Sequence, residues 1–155
     1  MYSVLQQHLL LLVALAVTLR VNGKVIERVV ANFGADGEAL GRLPVVAASL
    51  VAVEGAGGSA EAITEELAGK VALINRGQCA FTAKAKAAQD KGAVAVIIAN
   101  NRAGPPMAMG FAGEASRVVG ATITIAVLGV SQADGATLRG MAGAVVDVRN
   151  EVPAK

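Results

Sequence analysis

Between Lys70 and Ile98 the chain passes through an apolar block, a polar turn, a helix-forming stretch and a second apolar block, and this order leaves few folds open. Val71, Ala72, Leu73 and Ile74 form a continuous apolar run ended by Asn75, Arg76 and Gly77, the pattern of a strand covered on both faces. Phe81 to Lys91 has helical composition. Phe81, Ala85 and Ala88 make its apolar stripe, Lys84, Lys86 and Lys91 supply polar positions, and Gly92 stands where a C-terminal cap belongs. Val94 to Ile98 is the next strand. Strand, helix and strand with short joints form a βαβ unit, which requires parallel strands and a right-handed crossover.

The flanks add strands and breaks around this unit. A strand is expected near Leu19 to Val21 and a loop through Asn32 to Gly41. Val45 to Val53 is apolar and partly β-branched, and Gly55, Gly57, Gly58 and Ser59 end that strand. Glu61 to Leu67 allows a short helical turn at most. Residues 101–120 carry Gly104, Pro105, Pro106, Gly110, Gly113 and Gly120 around Met107, Met109 and Phe111, which predicts a long surface loop with an apolar tip. Ile123 to Val130 returns to strand. Ser131, with Asp134 three residues on, caps a short helix that Gly140 ends, and Ala144 to Val148 is the last strand. The expected fold class is therefore α/β, with mixed sheets, one βαβ unit and two or three flanking helices. At 155 residues the chain holds one domain, expected over residues 19–150 with 151–155 as a tail.

Composition removes several function classes. There is no Trp, one Tyr and three Phe, so the core is aliphatic and stacking platforms for single-stranded nucleic acid are absent. The net charge is only +2, without a basic run to follow a phosphate backbone. Nucleic acid is not an expected partner. The single cysteine, Cys79, excludes an intrachain disulfide and reads as a lone buried thiol. The single histidine, His8, lies in the amino-terminal apolar segment, so a Ser/His or Cys/His pair or a histidine-rich zinc site has nothing to draw on in the body of the domain. GxSxG, HExxH and P-loop spellings are missing as well. The chain is expected not to be an enzyme and to need no cofactor or metal.

Leu9 to Leu19 is a nearly unbroken apolar run, too short to span a bilayer and of the length of a secretory signal core. Ala14 and Ala16 form a small-residue pair suited to signal peptidase, but residues 1–7 contain no Lys or Arg. Residues 1–18 thus read either as a signal or hydrophobic leader or as a terminal element packed on the domain.

Two segments are candidates for contact with a ligand. Arg76 and Gly77 follow a strand end, where α/β folds place ligand-contacting loops; the structural alternative is that Gly77 supplies a positive φ and Arg76 ties down the turn. Met107, Met109 and Phe111 stand on a Gly/Pro loop, where adaptable thioethers can follow varied peptide surfaces; the alternative is that the loop folds back and buries them. Asn100 and Asn101 read as Asx-type turn residues. A rival reading starts from Gly55-Ala56-Gly57-Gly58-Ser59-Ala60, which matches the GxGxxA form of a dinucleotide-binding oxidoreductase, with Arg76 placed to read a 2′-phosphate.

Taken together, Gly69-Lys70, Arg76-Gly77-Gln78-Cys79-Ala80-Phe81, Lys84, Ala88-Gln89, Gly92-Ala93, Val96-Ile97-Ile98 and Asn100-Asn101 resemble the protease-associated (PA) domain. Pro105, Pro106, Met107, Met109-Gly110, Thr122 to Ile125 and Ser131 to Gly135 continue the likeness. Its sharp part covers Gly69 to Leu138, and a fainter part reaches back to about Leu19. Two positions depart from the family pattern: the second cysteine often found upstream is absent near Ala60 and Glu61, and Ala126 stands where a proline usually follows Ile-Thr-Ile. The resemblance implies a β/β/α layered fold. It also implies a non-catalytic module that recognises protein or peptide and assists substrate selection by a secreted or membrane-associated peptidase or receptor. Such a role places the chain outside the cell or in the secretory pathway, with Arg76, Gly77, Met107, Met109 and Phe111 as its contact residues.

Overall fold

The apolar blocks of the βαβ unit become the middle of a larger sheet in the computed structural model, which describes residues 16–35 and 46–151. Its strands are β1 (Ala16–Val21), β2 (Lys24–Ile26), β3 (Val29–Val30), β4 (Val46–Ala52), β5 (Val71–Asn75), β6 (Ala95–Ala99), β7 (Ala126–Val130) and β8 (Val145–Glu151). The helices are α1 (Phe81–Asp90), α2 (Glu114–Gly120) and α3 (Gln132–Arg139), and Ala60–Ala62 forms one 3-10 turn. Among the described residues the strands join in the order β2-β1-β8-β4-β5-β6-β7-β3.

The centre of this sheet is parallel, as the βαβ pattern requires: Leu73 pairs with Ile97, and Ile97 with Leu128. Every residue of β6 and β7 is buried, which accounts for their unbroken apolar spelling. The flanks are antiparallel. β1 pairs with β8, β8 with β4, and the short β3 covers the far edge against β7. Alternation along β1 points Val17, Leu19 and Val21 inward.

Those inward residues identify the layers. Val17, Leu19, Val21, Val146 and Val148 share one core with Val71, Leu73, Ile97 and Leu128, so the sheet curls and its antiparallel end lies over its parallel centre. The opposite face of the centre, Ala72, Ile74, Val96, Ile98 and Val127, packs on Ala85 and Ala88 of α1. The result is the β/β/α arrangement in an α/β fold. Leu138 places α3 with the first core, on the other side of the central strands from α1.

Local chemistry sets the boundaries. Ser131 caps α3, its Oγ accepting from the Asp134 N–H at 3.0 Å. Gly92, at φ +87, follows α1 in the left-handed region, where a Cβ would come within 3.1 Å of the Ala68 Cα. Several boundaries differ from the sequence expectation. Residues 101–120 are not all loop, because Glu114–Gly120 coils into α2. β7 starts at Ala126 rather than Ile123, since the Gln89 side chain takes the backbone groups before it, donating to Thr122 O at 3.0 Å and accepting from Thr124 N at 2.8 Å. β8 runs on to Glu151 because β1 begins at Ala16 and offers it partners. Ala16, Val17 and Thr18, assigned from sequence to the leader, are thus strand residues, whereas the rest of the leader and part of the Asn32 to Gly41 loop lie outside the described residues. Among the described residues no helix is long and apolar enough to cross a membrane.

Candidate functional site

The carboxyl ends of the parallel strands gather three loops, and the tightest of them follows β5. The Arg76 N–H donates to Ala99 O at 2.8 Å, extending the β5–β6 pairing by one residue. The chain then reverses through Gly77 at φ +122 and Gln78 at φ +68, so that Gly77 and Cys79 bridge one another. A left-handed conformation at a non-glycine residue costs about 1 kcal/mol, and such strain persists only where surrounding structure enforces it. Here the enforcing group is Lys84.

Lys84 lies one turn into α1 and is fully buried. Its Nζ donates to the carbonyl oxygen of Gly77 at 2.8 Å and to that of Ala56 in the loop after β4. Cys79 Sγ also approaches Ala56 O, at 3.6 Å. One ammonium therefore fastens the Arg-Gly turn to the upstream glycine loop. The helical composition of the segment predicts a polar position for Lys84, and the structure corrects this by burying it. The signal was present, because Phe81, Lys84, Ala85 and Ala88 occupy positions i, i+3, i+4 and i+7 of one stripe. Cys79 is half-buried and free rather than enclosed. The residue against it is Gly58, where a Cβ would lie 3.0 Å from the thiol sulfur.

The same contacts account for the glycines of the GxGxxA spelling. A Cβ on Gly57 would meet the Ile74 side chain at 3.0 Å, so Gly57 and Gly58 let the loop close onto β5 and Cys79. They lead into the three-residue 3-10 turn and not into a helix whose N-terminus could hold a pyrophosphate. The dinucleotide reading is corrected on this ground.

The loop after β6 supplies the facing wall. Asn100 Oδ1 accepts from Arg76 Nη1 at 3.1 Å and from the Arg102 N–H at 3.3 Å, so the expected Asx turn also anchors the arginine. Met109 is buried, against Gly129 at a point where a Cβ would meet its Cε at 3.1 Å. Met107 is half-buried beside it. Phe111 is half-buried too: its ring fills the space over Gly120, lies 5.9 Å from the Phe33 ring and carries the Arg117 guanidinium at 4.7 Å. Met109 is thus the anchor of this loop, and Phe111 its surface.

Between the two walls runs an open groove of about 500 Å³, with Arg76 to Phe81 on one side and Gly110 to Ala112 on the other. A second hollow of about 400 Å³ separates the Arg-Gly turn from Gly55 and Ala56, and a third of about 280 Å³ lies towards α3. Arg76 borders all three. Its guanidinium sits 6.0 Å from the Phe81 ring centre, half-buried, with a neutral amide as its side-chain hydrogen-bond partner. Among the described residues, no group of three or more His, Cys, Asp or Glu side chains is gathered for a metal.

The model of the PA domain matches residues 43–138, more than half of the chain. This chain belongs to the PA domain family. No curated protein matches it. Among solved structures it is similar to a zinc aminopeptidase from Bacillus subtilis, with 29% identity and a TM-score of 0.69 over 89% of this chain and 30% of the other. It is also similar to an aminopeptidase from Aneurinibacillus sp. strain AM-1, with 27% identity and a TM-score of 0.63 over 88% of this chain and 30% of the other. A psychrophilic subtilisin-like protease from Pseudoalteromonas sp. AS-11, 19% identical with a TM-score of 0.59, covers 90% of this chain with 33% of its own and shares the fold. This PA domain thus spans about a third of the length of the peptidases it resembles, and as a module it is peptidase-associated.

Proposed function

We propose that this PA domain is a non-catalytic recognition module that holds a protein or peptide substrate for a peptidase catalytic domain. The observation that carries this reading is the strained Arg76-Gly77-Gln78 turn, fixed by a buried lysine and facing Phe111 across an open groove. A turn held rigid before binding has little ordering entropy left to lose. The groove offers one aromatic face on each side, Phe81 and Phe111, with Arg76 at its end, a combination suited to an extended chain with an apolar side chain. Arg76, Gly77 and Phe111 form the contact surface, Met107 borders it, and Met109 supports it from within. The relatives in which similar domains occur are peptidases, so the partner is a peptidase or its substrate. The module works outside the cell or in the secretory pathway.

Fluorescence anisotropy with a library of labelled peptides tests the reading. Wild-type protein is expected to retain a subset of peptides with apolar side chains, and Phe111→Ala to weaken them about tenfold while the fold survives, as expected for removing one aromatic anchor. Equal binding by wild type and by an Arg76→Gln, Phe111→Ala double variant would contradict it.

A further inference from the structure

Arg139 has no part in the groove, yet it shares the third hollow with Arg76. On α3, Gln132, Ala136 and Arg139 line one side of this space, and the other side is made by Asn75, Arg76 and Asn100 at the ends of β5 and β6. The volume is about 280 Å³, and among the described residues no carboxylate lines it.

Charge balance makes the hollow informative. Arg76 Nη1 donates to Asn100 Oδ1, Arg139 Nη1 to Val53 O and Arg139 Nη2 to Asn75 Oδ1, each at 3.1 Å. All three acceptors are neutral, so these hydrogen bonds orient both guanidiniums without cancelling their charge. Arg139 also forms an ion pair with Glu54 at 3.8 Å, but this carboxylate is 87% exposed, where water screens it. Asn75 has turned its oxygen to Arg139, so its remaining polar atom is an N–H donor, whereas Asn100 Nδ2 donates to Pro105 O at 3.5 Å; α3 contributes its first residue, Gln132, at the positive end of the helix. A hollow supplied with donors and two guanidiniums, one hydrogen-bonded to a neutral amide and the other paired only with an exposed carboxylate, suits an acceptor-only anion with two oxygens.

We infer that this hollow binds the carboxylate of a peptide, with Arg76 and Arg139 as its paired donors. The inference rests on the peptide-recognition reading and gives it a substrate class: peptides carrying an acidic side chain or a free C-terminus next to the residue held between Phe81 and Phe111. Arg76, which borders both spaces, is the shared post.

The test is an NMR titration of the whole chain, following the arginine Nε–Hε signals. Its probes are N-acetyl-glutamate amide, N-acetyl-alanine with its free carboxylate, and N-acetyl-glutamine amide. Saturable shifts of Arg76 and Arg139 with the first or second probe, and none with the third, are expected, and the stronger of the two acids identifies side chain or C-terminus as the source. Arg139→Gln should weaken binding at least about tenfold. Ala136→Glu, at an exposed position on the wall of the hollow, leaves every hydrogen bond of Arg139 in place and should abolish binding by supplying an internal carboxylate. Equal shifts with the neutral probe, or full binding by Ala136→Glu, would overturn the inference. Retention of neutral peptides in the Phe81–Phe111 groove alongside that result would leave the recognition reading standing. Carboxylate binding without retention of any peptide would remove the recognition reading and leave the hollow as an anion site.

Discussion

Lys84 is the residue on which the site most depends. Its ammonium is sealed from water and bonded to two main-chain carbonyls from different loops, and hydrogen bonds to a charged donor exceed neutral ones in strength. Lys84→Met keeps the aliphatic stem and deletes the donors, leaving Ala56 O and Gly77 O without them. Denaturant unfolding is expected to show a loss of about 3 kcal/mol, and peptide binding is expected to fall with it because the left-handed Gln78 loses its support. A change below about 0.5 kcal/mol would show that the carbonyls find water at no loss. At this scale the sequence was readable in part. Gly77 and Asn100 do what turn residues do, but a lysine on an apolar stripe looks like an interruption until the two loops meeting its ammonium are known. Those loops come from Ala56 and Gly77, distant from one another in the chain, and no local pattern reports their meeting.

Among the elements, the segment after β6 changes most between sequence and structure. Its glycines and prolines predict loop, and from residue 101 to 113 that holds; α2 then forms from Glu114, with Thr82 Oγ1 and Ser116 Oγ 2.7 Å apart where it meets α1. A seven-residue helix ending Arg-Val-Val-Gly has weak intrinsic preference, so tertiary contact decides it. The two methionines separate in the same way. Met109→Ser removes a buried thioether and is expected to lower stability by about 2 to 3 kcal/mol in thermal or denaturant unfolding. Met107→Ser, at a half-buried position, is expected to change it by under about 1 kcal/mol. Equal losses would mean that both side chains serve the core. By contrast the βαβ unit and α3 were legible to within a residue or two, because continuous apolar strands, a serine cap and a left-handed glycine each have a local cause.

For the whole molecule, what the βαβ pattern could not supply is the way β1 and β8 close over the centre. That pairing joins the two ends of the described chain, Ala16 opposite Glu151, and the β/β/α order was available only through resemblance to the PA domain. Its outer face has a testable electrostatic signature. The Arg149 side chain grips the Asp147 carboxylate, Nε to Oδ1 at 2.7 Å and Nη2 to Oδ2 alongside, and this hydrogen bonding holds Asp147 below the usual carboxylate range. Arg20 does the same for Glu151. Lowered folded-state values mean stabilisation that is complete above the unfolded carboxylate range, near about pH 4, and is lost as the pH falls through the folded-state values. Unfolding measured from pH 7 to pH 2 should therefore show an acid-side loss that Asp147→Asn reduces, and an unchanged acid limb in that variant would contradict the pairing.

The proposed function requires that this domain recognise peptide at the carboxyl ends of its parallel strands. Amide shift mapping by NMR, with a peptide retained in the anisotropy screen, tests it most directly. Saturable changes are predicted at residues 75–81 and 107–112; changes confined to the β1–β8 face, or none at any peptide concentration, would contradict it.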